Sequence, residues 1–453
     1  MIKQSKKVTE LLGVHRTVSL DEVFDFLLKR ENLDKIGITR LAVTHGLDRI
    51  GIPTASATVP SSLDSISIYS GKGTTAKGSK ISAIMEAVER VSATSWTETV
   101  YLYSEKDLEN RKAKFCSPSL FTETRIDNYS SDKNIEWVKG FDLVNEEELL
   151  VPLGAVINPY IKKSKSEEVF QVFKYTHTNG LASGFSLEEA IPQALCEVIE
   201  RDAVSLAELR SSIFPFAFVK QLECNIKETF NSEYEIDNAL FSDDFNLYKS
   251  VEIETLPDVL KNLIGRFFNA NINISLKYIT NDIEIPTFGC CCLETLPSGK
   301  TMFRAGYGTH PDKETALIRA VTELAQSRIV DIQGAREDVH NLDKRRFEQK
   351  KIGKHWLLEP STETISFQDI PSKSFFDLSE EIHYIVEAIQ KVGFKTVIVI
   401  PISSVLPNTY VVRVLIPGIE TWHPTAGNSL LGHRAKKLAN DCGIVVDEIQ
   451  SYI

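Results

Sequence analysis

The sequence predicts a fold that mixes helices and strands, of the α+β or the α/β class. Short apolar runs of strand length recur along the chain, and three long helical segments each follow a glycine-containing stretch. The 453 residues are 42% hydrophobic and 25% charged, which is typical of a folded globular protein. A chain of this length forms two or three domains, or one large catalytic unit with additions.

The expected helices are periodic segments, the first of which opens with the capping pattern Ser-Leu-Asp-Glu. In chain order they are Ser19–Lys29, Ser79–Ala93, Leu187–Arg210, Lys313–Ile329 and Ser379–Val392. The expected strands are apolar runs rich in branched and aromatic residues. They are Ile38–Thr44, Ser65–Tyr69, Trp137–Leu143, Glu148–Val156, Ile272–Ile279, Phe288–Glu294, Thr396–Pro401 and Tyr410–Pro417.

The charge and the apolar pattern argue against two classes of partner. The formal net charge is -11 and no basic patch stands out, so binding to nucleic acid is not expected. The most apolar runs, Thr396–Ile402 and Tyr410–Ile416, are far too short to span a membrane. The seven cysteines form no Cys-x-x-Cys pair, which favours buried free thiols over a zinc site. With no signal-peptide pattern at the N-terminus, a cytoplasmic location is expected.

A glycine-containing loop followed by a charged helix occurs three times. The loops are GKGTTAKG at 71–78, HTNGLASG at 177–184 and AGYGTHPD at 305–312. The helices that follow carry polar groups, namely Ser82, Glu86, Glu89 and Arg90, then Glu188, Glu189, Glu197, Glu200, Arg201 and Asp202, then Arg319, Glu323 and Gln326. A single Glu-x-x-Glu-Arg set is usually a solvated helix face. Two such sets and an Arg-x-x-x-Glu-x-x-Gln pattern on the third helix, each behind its own loop, favour a shared site.

The helical period places these side chains on common faces. Ser82, Glu86 and Glu89 lie at i, i+4 and i+7, which is one stripe of a helix, and the three polar residues of the last helix have the same spacing. Converging carboxylates raise each other's pKa unless a cation lies between them. Oxygen ligands without Cys or His select Mg²⁺ or Ca²⁺, and basic groups on the same helices suit a phosphate carried by the metal.

Two familiar motifs do not fit. The segment GKGTT resembles a P-loop, but Lys72 is followed by Gly73 and position 66 is Ile where that motif needs Gly. A di-iron site of the ferritin type needs Glu-x-x-His, whereas both pairs here are Glu-x-x-Glu. The pattern therefore predicts a nucleotide site built from carboxylates, without a Walker loop.

These motifs closely resemble those of the YcaO family. The matching segments are Gly71–Arg90, Asn179–Asp202 and Gly306–Arg328, with shorter matches at Gly13–Ser19, Leu47–Pro53 and Pro417–Glu420. The resemblance implies an α+β fold of the YcaO type, with mixed sheets and three packed glutamate-bearing helices around a Mg-ATP site. It also implies that ATP and Mg²⁺ are used to phosphorylate an amide oxygen, after which a nucleophile attacks the activated carbon.

The resemblance implies a role for each motif residue. Nucleotide contacts are expected at Lys72, Lys77, Ser82, Asn179, Arg201, Arg319 and Gln326. Magnesium ligands are expected at Glu86, Glu89, Glu189, Glu197, Glu200 and Glu323. Catalytic roles are expected for Glu200, Arg201 and Arg319. For Lys72 the alternative is that it is an exposed lysine of the loop. For Arg16 and Arg49 the alternative is a structural ion pair.

The resemblance also implies how the chain is organised. Residues 61–335 are expected to form the catalytic core, to which residues 1–60 contribute. Residues 336–375 are rich in charge and are expected to be a linker or excursion. Residues 376–453 are expected to complete the domain as an α/β part.

The C-terminus favours one branch of the family. Azoline-forming members typically end in a proline-rich tail, whereas this chain ends VVDEIQSYI. It is more similar to the branch that makes a backbone thioamide with sulfide, as on a glycine of the methyl-coenzyme M reductase alpha subunit of methanogens. That branch implies a peptide or protein substrate and a TfuA-like partner that delivers sulfur, and a homodimer is expected. The alternatives are an azoline-forming cyclodehydratase and a nucleotide-binding regulator without a peptide substrate.

Overall fold

The computed structural model describes residues 2–7, 16–60, 62–122, 128–164, 168–174, 176–236, 248–295, 301–337, 356–358, 361–421 and 431–446. Its helices are α1 (Leu20–Leu27), α2 (Arg30–Ile36), α3 (Ala76–Thr94), α4 (Glu105–Asn110), α5 (Leu153–Val156), α6 (Leu187–Glu208), α7 (Phe214–Phe230), α8 (Asp258–Asn269), α9 (Lys313–Gln333), α10 (Leu378–Lys391) and α11 (His433–Asp441). None of the helices in these ranges is long and apolar enough to cross a membrane.

The strands of the described ranges are mostly short. They are β1 (Arg40–Val43), β2 (Thr54–Thr58), β3 (Ile68–Lys72), β4 (Tyr101–Tyr103), β5 (Ile135–Asp142), β6 (Glu147–Pro152), β7 (Leu181–Gly184), β8 (Ser250–Glu252), β9 (Ile274–Tyr278), β10 (Thr287–Thr295), β11 (Thr301–Thr309), β12 (Thr364–Ser366), β13 (Ile398–Ile402) and β14 (Tyr410–Leu415). Residues 13–15 of the motif match Gly13–Ser19, residues 338–355 of the expected linker and the tail at 447–453 lie outside the described residues.

The strands form three sheets. Their orders are β1-β2-β3, then β11-β10-β9-β8-β12, then β4-β5-β13-β14-β7 with β6 paired to β5. Among the described strands only β8 and β12 pair in parallel. Mostly antiparallel sheets covered by helices make the fold α+β and not α/β, which resolves the two classes left open by the sequence.

The C-terminal strands lie in the middle of the third sheet. Ile398 of β13 is opposite Asp142 of β5, and Arg413 of β14 is opposite Leu181 of β7. Near the N-terminus, Lys6 forms an isolated bridge with Asp377 just before α10. Within the range expected to be a linker, residues 364–366 form β12. Segments that are distant in the sequence are therefore paired in both of the larger sheets.

Parts of the expected loops at 71–78 and 305–312 are strand. Gly71 and Lys72 belong to β3, and residues 305–309 belong to β11. The glycines mark a close approach of each strand to the helix that follows, because a Cβ on Gly71 would overlap the carbonyl oxygen of Ser79 in α3. The helix predicted to end at Arg210 instead passes through a π-helical turn, Leu209–Ile213, into α7.

The seven cysteines are all free thiols, as expected. Five are buried, and Cys290, Cys291 and Cys292 lie side by side in β10. The expectation of burial is wrong for Cys224, which is exposed, and Cys442 is half-buried. The exposed thiol is on α7.

The close contact between β11 and α9 predicts that a substitution of Gly308 lowers the stability of the fold. A Cβ on Gly308 would overlap the carbonyl oxygen of Ala316 and the amide nitrogen of Ala320. We expect Gly308→Ala to lower the free energy of unfolding by about 2 kcal/mol, because backbone atoms cannot yield as a flexible side chain does. The control is Gly265→Ala on α8, where an added Cβ meets no neighbour. Urea unfolding measures both, and equal effects would contradict the close packing.

Candidate active site

Helices α3, α6 and α9 border one cavity of about 690 Å³. Each helix packs on a strand of a different sheet, α3 on β3, α9 on β11 and α6 on β14, so the three sheets together position the site. The predicted residues that line it are Lys72, Ser82, Glu86, Glu89, Glu189, Glu197, Glu200, Arg201, Arg319, Glu323 and Gln326. The stripes expected from the helical period therefore face a common space.

The carboxylates of α3 are buried next to one another. The helix is capped by Thr75, whose side chain accepts a hydrogen bond from the amide of Gly78. Burial raises the pKa of Glu86. Burial also raises the pKa of Glu89 well above its usual range, and the neighbouring Glu197 and Glu86 add to the shift. Both groups resist ionisation until a cation arrives.

Helix α6 adds two carboxylates with the same property. Burial raises the pKa of Glu197 to about 7 and the pKa of Glu200 to about 8. The charge of Glu323 raises both pKa values further, whereas the charge of Arg201 lowers both. Burial and mutual repulsion outweigh the nearby cations, which is the electrostatic condition that a divalent ion relieves.

These pKa shifts predict how Mg²⁺ changes stability with pH. Because the pKa values of Glu197 and Glu200 are raised in the folded state, the metal-free protein binds more protons than the unfolded chain between about pH 4.5 and about pH 8. Its stability therefore falls as pH rises through that window. Mg²⁺ competes with these protons, so we expect it to raise Tm more at about pH 8.5 than at about pH 6. Thermal melts with and without Mg²⁺ test this, and an equal rise at both pH values would contradict it.

Three predicted cationic residues lie on the cavity wall. The ammonium of Lys72 contacts the carboxylate of Glu323, so this lysine is not a solvated loop residue. The guanidinium of Arg319 donates to the carbonyl oxygen of Thr309 at 3.1 Å, which fixes its direction. Arg201 directly follows Glu200 at the same cavity. Lysine and arginine beside carboxylates suit a metal-bound phosphate.

A buried arginine that the motifs do not predict lies near the carboxylates. Arg413 of β14 is 1% exposed, and its charge opposes the rise in the pKa of Glu89 and Glu197. Its Nη2 lies 3.1 Å from Nδ1 of His177, which also accepts from the amide of Asn179 at 3.2 Å. An arginine inside the apolar run YVVRVL was the available signal, because a buried charge requires partners.

Glu189 differs from the other predicted metal ligands. Its carboxylate accepts hydrogen bonds from the amide and the hydroxyl of Thr17 and from the amide of Phe185, the last at 2.8 Å. Arg16 lies 3.6 Å from the same carboxylate and lines the cavity. The structure thus uses Glu189 to hold the N-terminal segment against α6.

Two predicted nucleotide contacts do not line the cavity. Lys77 contacts Asp21 on α1, and its ammonium lies 5.5 Å from the centre of the Phe24 ring. Asn179 lines a separate small space beside β14, and its Oδ1 has no hydrogen-bond partner among the residues that the structure describes. Of the two arginines left open, Arg49 is 2.7 Å from a carboxylate oxygen outside the site, which makes a structural ion pair.

The placement of the two lysines gives a paired prediction. We expect Lys72→Ala to lower ATP turnover by about tenfold, because it removes a cation that faces the cavity. Lys77→Ala should leave turnover within about twofold, since an exposed ion pair contributes little. Phosphate-release assays measure both variants. Equal loss in the two would contradict the assignment of Lys77 to the outer face of α3.

The donor set fits magnesium that is shared with phosphate. Within the described parts of the chain, no three acidic, histidine or cysteine side chains stand ready to hold a metal ion alone. Mg²⁺ is usually held by one or two carboxylates together with water and substrate phosphates, not by a cage of protein groups. Buried glutamates with raised pKa values, spread over three helices, suit that arrangement.

Comparison with known proteins identifies the motif pattern. A family model described as YcaO cyclodehydratase, ATP- and Mg²⁺-binding, matches residues 70–420. An uncharacterized protein from Methanothermobacter thermautotrophicus is 32% identical over 400 residues, which cover 86% of this chain and 92% of that protein. A protein from Rhizobium leguminosarum bv. trifolii is described as an uncharacterized protein in the tfuA 3′ region. It is 28% identical over 405 residues, which cover 87% of this chain and 86% of that protein.

Two solved structures share the fold. YcaO from Methanopyrus kandleri, bound with AMPPCP and Mg²⁺, superposes with a TM-score of 0.65 and 22% identity, over 92% of this chain and 95% of that one. A heterocyclase in complex with substrate and cofactor superposes with a TM-score of 0.71 and 19% identity, over 99% of this chain and 58% of that one. At these identities the likeness concerns the fold.

Proposed function

The chain belongs to the YcaO family, and from that premise we propose that it uses Mg-ATP to phosphorylate a backbone amide oxygen, after which sulfide forms a thioamide. Members of the family bind ATP and Mg²⁺. The observation that carries the proposal is the convergence of buried carboxylates and cations from three helices on one cavity. Positioning and electrostatics are most of what phosphoryl transfer requires of a protein.

We assign the magnesium ions to five of the glutamates that line the cavity. These are Glu86, Glu89, Glu197, Glu200 and Glu323. The carboxylate of Glu189 is already hydrogen-bonded to the N-terminal segment, so its part is to hold that segment in place. Among the cations, Lys72, Arg201 and Arg319 would stabilise negative charge on the phosphoryl group as it moves.

The proposed chemistry makes a poor electrophile reactive. Mg-ATP, when bound, supplies the phosphoryl group and neutralises its charge. The substrate amide oxygen attacks the γ-phosphorus as the bond to the departing ADP breaks. Hydrosulfide then adds to the amide carbon, and phosphate leaves with the original oxygen and the proton of hydrosulfide. An amide, ATP and hydrosulfide thus become a thioamide, ADP and inorganic phosphate.

The thioamide branch is supported by the relatives. One relative is described by its position in the tfuA 3′ region, which agrees with a TfuA-like partner that delivers sulfur. Another relative comes from Methanothermobacter thermautotrophicus, and the resemblance implies a glycine of the methyl-coenzyme M reductase alpha subunit as substrate.

We further infer that the protein is located in the cytoplasm and forms a homodimer. Five of the seven cysteines are buried free thiols, which suits the cytoplasm. The homodimer rests on the family resemblance alone. Light scattering of the purified protein tests it.

A second candidate is an azoline-forming cyclodehydratase. It is favoured by the description of the family as cyclodehydratases and by the likeness to the heterocyclase. The third candidate, a regulator that binds nucleotide without a peptide substrate, is disfavoured because the carboxylates of all three motifs are retained.

The mass of a treated peptide separates these candidates. The protein is incubated with Mg-ATP, sulfide and a glycine-containing peptide of the methyl-coenzyme M reductase alpha subunit, with a TfuA-like protein present or absent. A gain of about 16 Da means that sulfur has replaced oxygen, and a loss of about 18 Da means cyclisation. We expect the gain. An unchanged mass in every reaction would favour the regulator.

A further inference from the structure

The cavity extends past the carboxylates along α9 in both directions. Arg319 lies one turn before Glu323, whereas Val330 lies about two turns after it, and both line the cavity. At 1.5 Å per residue the cavity continues about 10 Å beyond Glu323 toward the C-terminal end of the helix. A metal-phosphate group at the glutamates therefore leaves space on two opposite sides.

The two ends of the cavity differ in chemistry. The end beside Arg319 is lined by the apolar groups of Pro192, Cys196 and Ile318, which suit the flat face of a nucleoside base. The opposite end, here called the far lobe, is lined by Arg304, Val330, Asp331 and Arg336. This end therefore carries two guanidinium groups and one carboxylate, and the guanidinium of Arg304 is in direct contact with the carboxylate of Asp331.

The wall of the far lobe is built from fixed contacts. Arg90 donates two hydrogen bonds to the buried Asp64, at 2.7 and 2.8 Å. The carboxylate of Glu337, next to Arg336, accepts from the amide of Ser67 at 3.2 Å. The first contact holds the segment before β3 against α3, and the second holds the chain after α9 against the same segment, so the lobe is part of the folded structure.

The charges of the far lobe match a peptide backbone. Arg304 is 9% exposed and contacts the carboxylate of Asp331. Arg336 and Glu86 line the same cavity, and the charge of Arg336 opposes the rise in the pKa of Glu86, so this guanidinium lies near the carboxylates. A peptide segment offers both carbonyl acceptors and amide donors, and arginine together with aspartate can bind one of each.

In-line transfer selects the side from which the amide approaches. The attacking and the leaving oxygens lie on opposite sides of the transferred phosphorus. With phosphates at the glutamates and the nucleoside beside Arg319, the attacking oxygen must come from the other end. We propose that the far lobe binds the polypeptide segment that carries the target amide, with Arg304, Asp331 and Arg336 as its backbone contacts. This inference rests on the proposed function.

A bulky label placed in the far lobe tests the inference. In a background with Cys224→Ser and Cys442→Ser, Val330→Cys is labelled with a bulky maleimide. The matched control is Ile332→Cys, which is 40% exposed in the native protein and points away from Val330 on the same helix. Each protein is assayed for Mg-ATP affinity and for modification of the methyl-coenzyme M reductase peptide, before and after labelling.

We expect labelling at position 330 to cut peptide modification by about a hundredfold and to leave the Kd for Mg-ATP within about threefold. Labelling at position 332 should change neither. Unchanged modification after labelling at position 330, or loss of Mg-ATP binding, overturns the inference. If the unlabelled enzyme modifies no peptide, the proposed function fails, and Mg-ATP binding to the labelled protein then decides alone whether the lobe belongs to the nucleotide.

Discussion

Replacing Glu200 by Gln should reduce ATP turnover by about a thousandfold while the protein stays folded. The change removes one ligand charge without changing the shape of the side chain, and metal coordination of this kind stabilises the transition state by several kcal/mol. Phosphate release under saturating Mg-ATP measures the loss. The matched control is Glu387→Gln on α10, an exposed glutamate outside the cavity lining, which should retain full turnover.

The same variant has an expected effect on stability. Burial raises the pKa of Glu200 to about 8, so its charged form destabilises the metal-free fold at and above that pH. Glu200→Gln should therefore raise Tm at about pH 8.5 in the absence of metal, with a smaller change at about pH 6. A variant that is fully active, or one that is less stable at high pH, would remove Glu200 from the proposed metal site.

The second large effect is expected at Arg319. Arg319→Gln removes a fixed positive charge one helical turn from Glu323, and arginines that stabilise a transferring phosphoryl group contribute strongly to its rate. We expect turnover to fall by about a hundredfold. Arg319→Lys should recover little, because an ammonium lacks the planar pair of donors. Arg30→Ala, an exposed residue paired with Asp34, is the control and should leave turnover unchanged.

Melting curves separate a catalytic loss at Arg319 from a structural one. The hydrogen bond from Arg319 to Thr309 joins α9 to β11, so some loss of Tm is expected. Turnover should remain low at temperatures where the variant is fully folded. If the variant regained full turnover at temperatures where it is folded, Arg319 would have a structural role only.

The site residues on the helices could be predicted from the sequence more accurately than the strands around them. The spacing of Ser82, Glu86 and Glu89 placed them on one face, and the structure places that face on the cavity. Lys77 lies about 140° from Ser82 on the helical wheel and contacts Asp21 of α1, so it is not on the face that lines the cavity. Its nucleotide contact, expected from its place in the motif, stays a prediction.

Strand positions were harder to predict because a glycine can indicate either a loop or a strand that lies close to a helix backbone. Gly71 and Gly308 were interpreted as loop residues, whereas both lie in strands that touch a helix backbone. The position of Arg413 depends on the pairing of β14 with β7, which joins residues more than 200 apart in the sequence. No local pattern encodes such a pairing, so the sequence alone did not place this buried charge beside Glu197.

The fate of the amide oxygen tests the central claim most directly. A substrate peptide is made with oxygen-18 in the target carbonyl and incubated with the enzyme, Mg-ATP and sulfide. Phosphorylation of that oxygen predicts one oxygen-18 atom in the inorganic phosphate for each peptide modified, for a thioamide and an azoline alike. Modified peptide accompanied only by unlabelled phosphate would contradict activation of the amide through its oxygen.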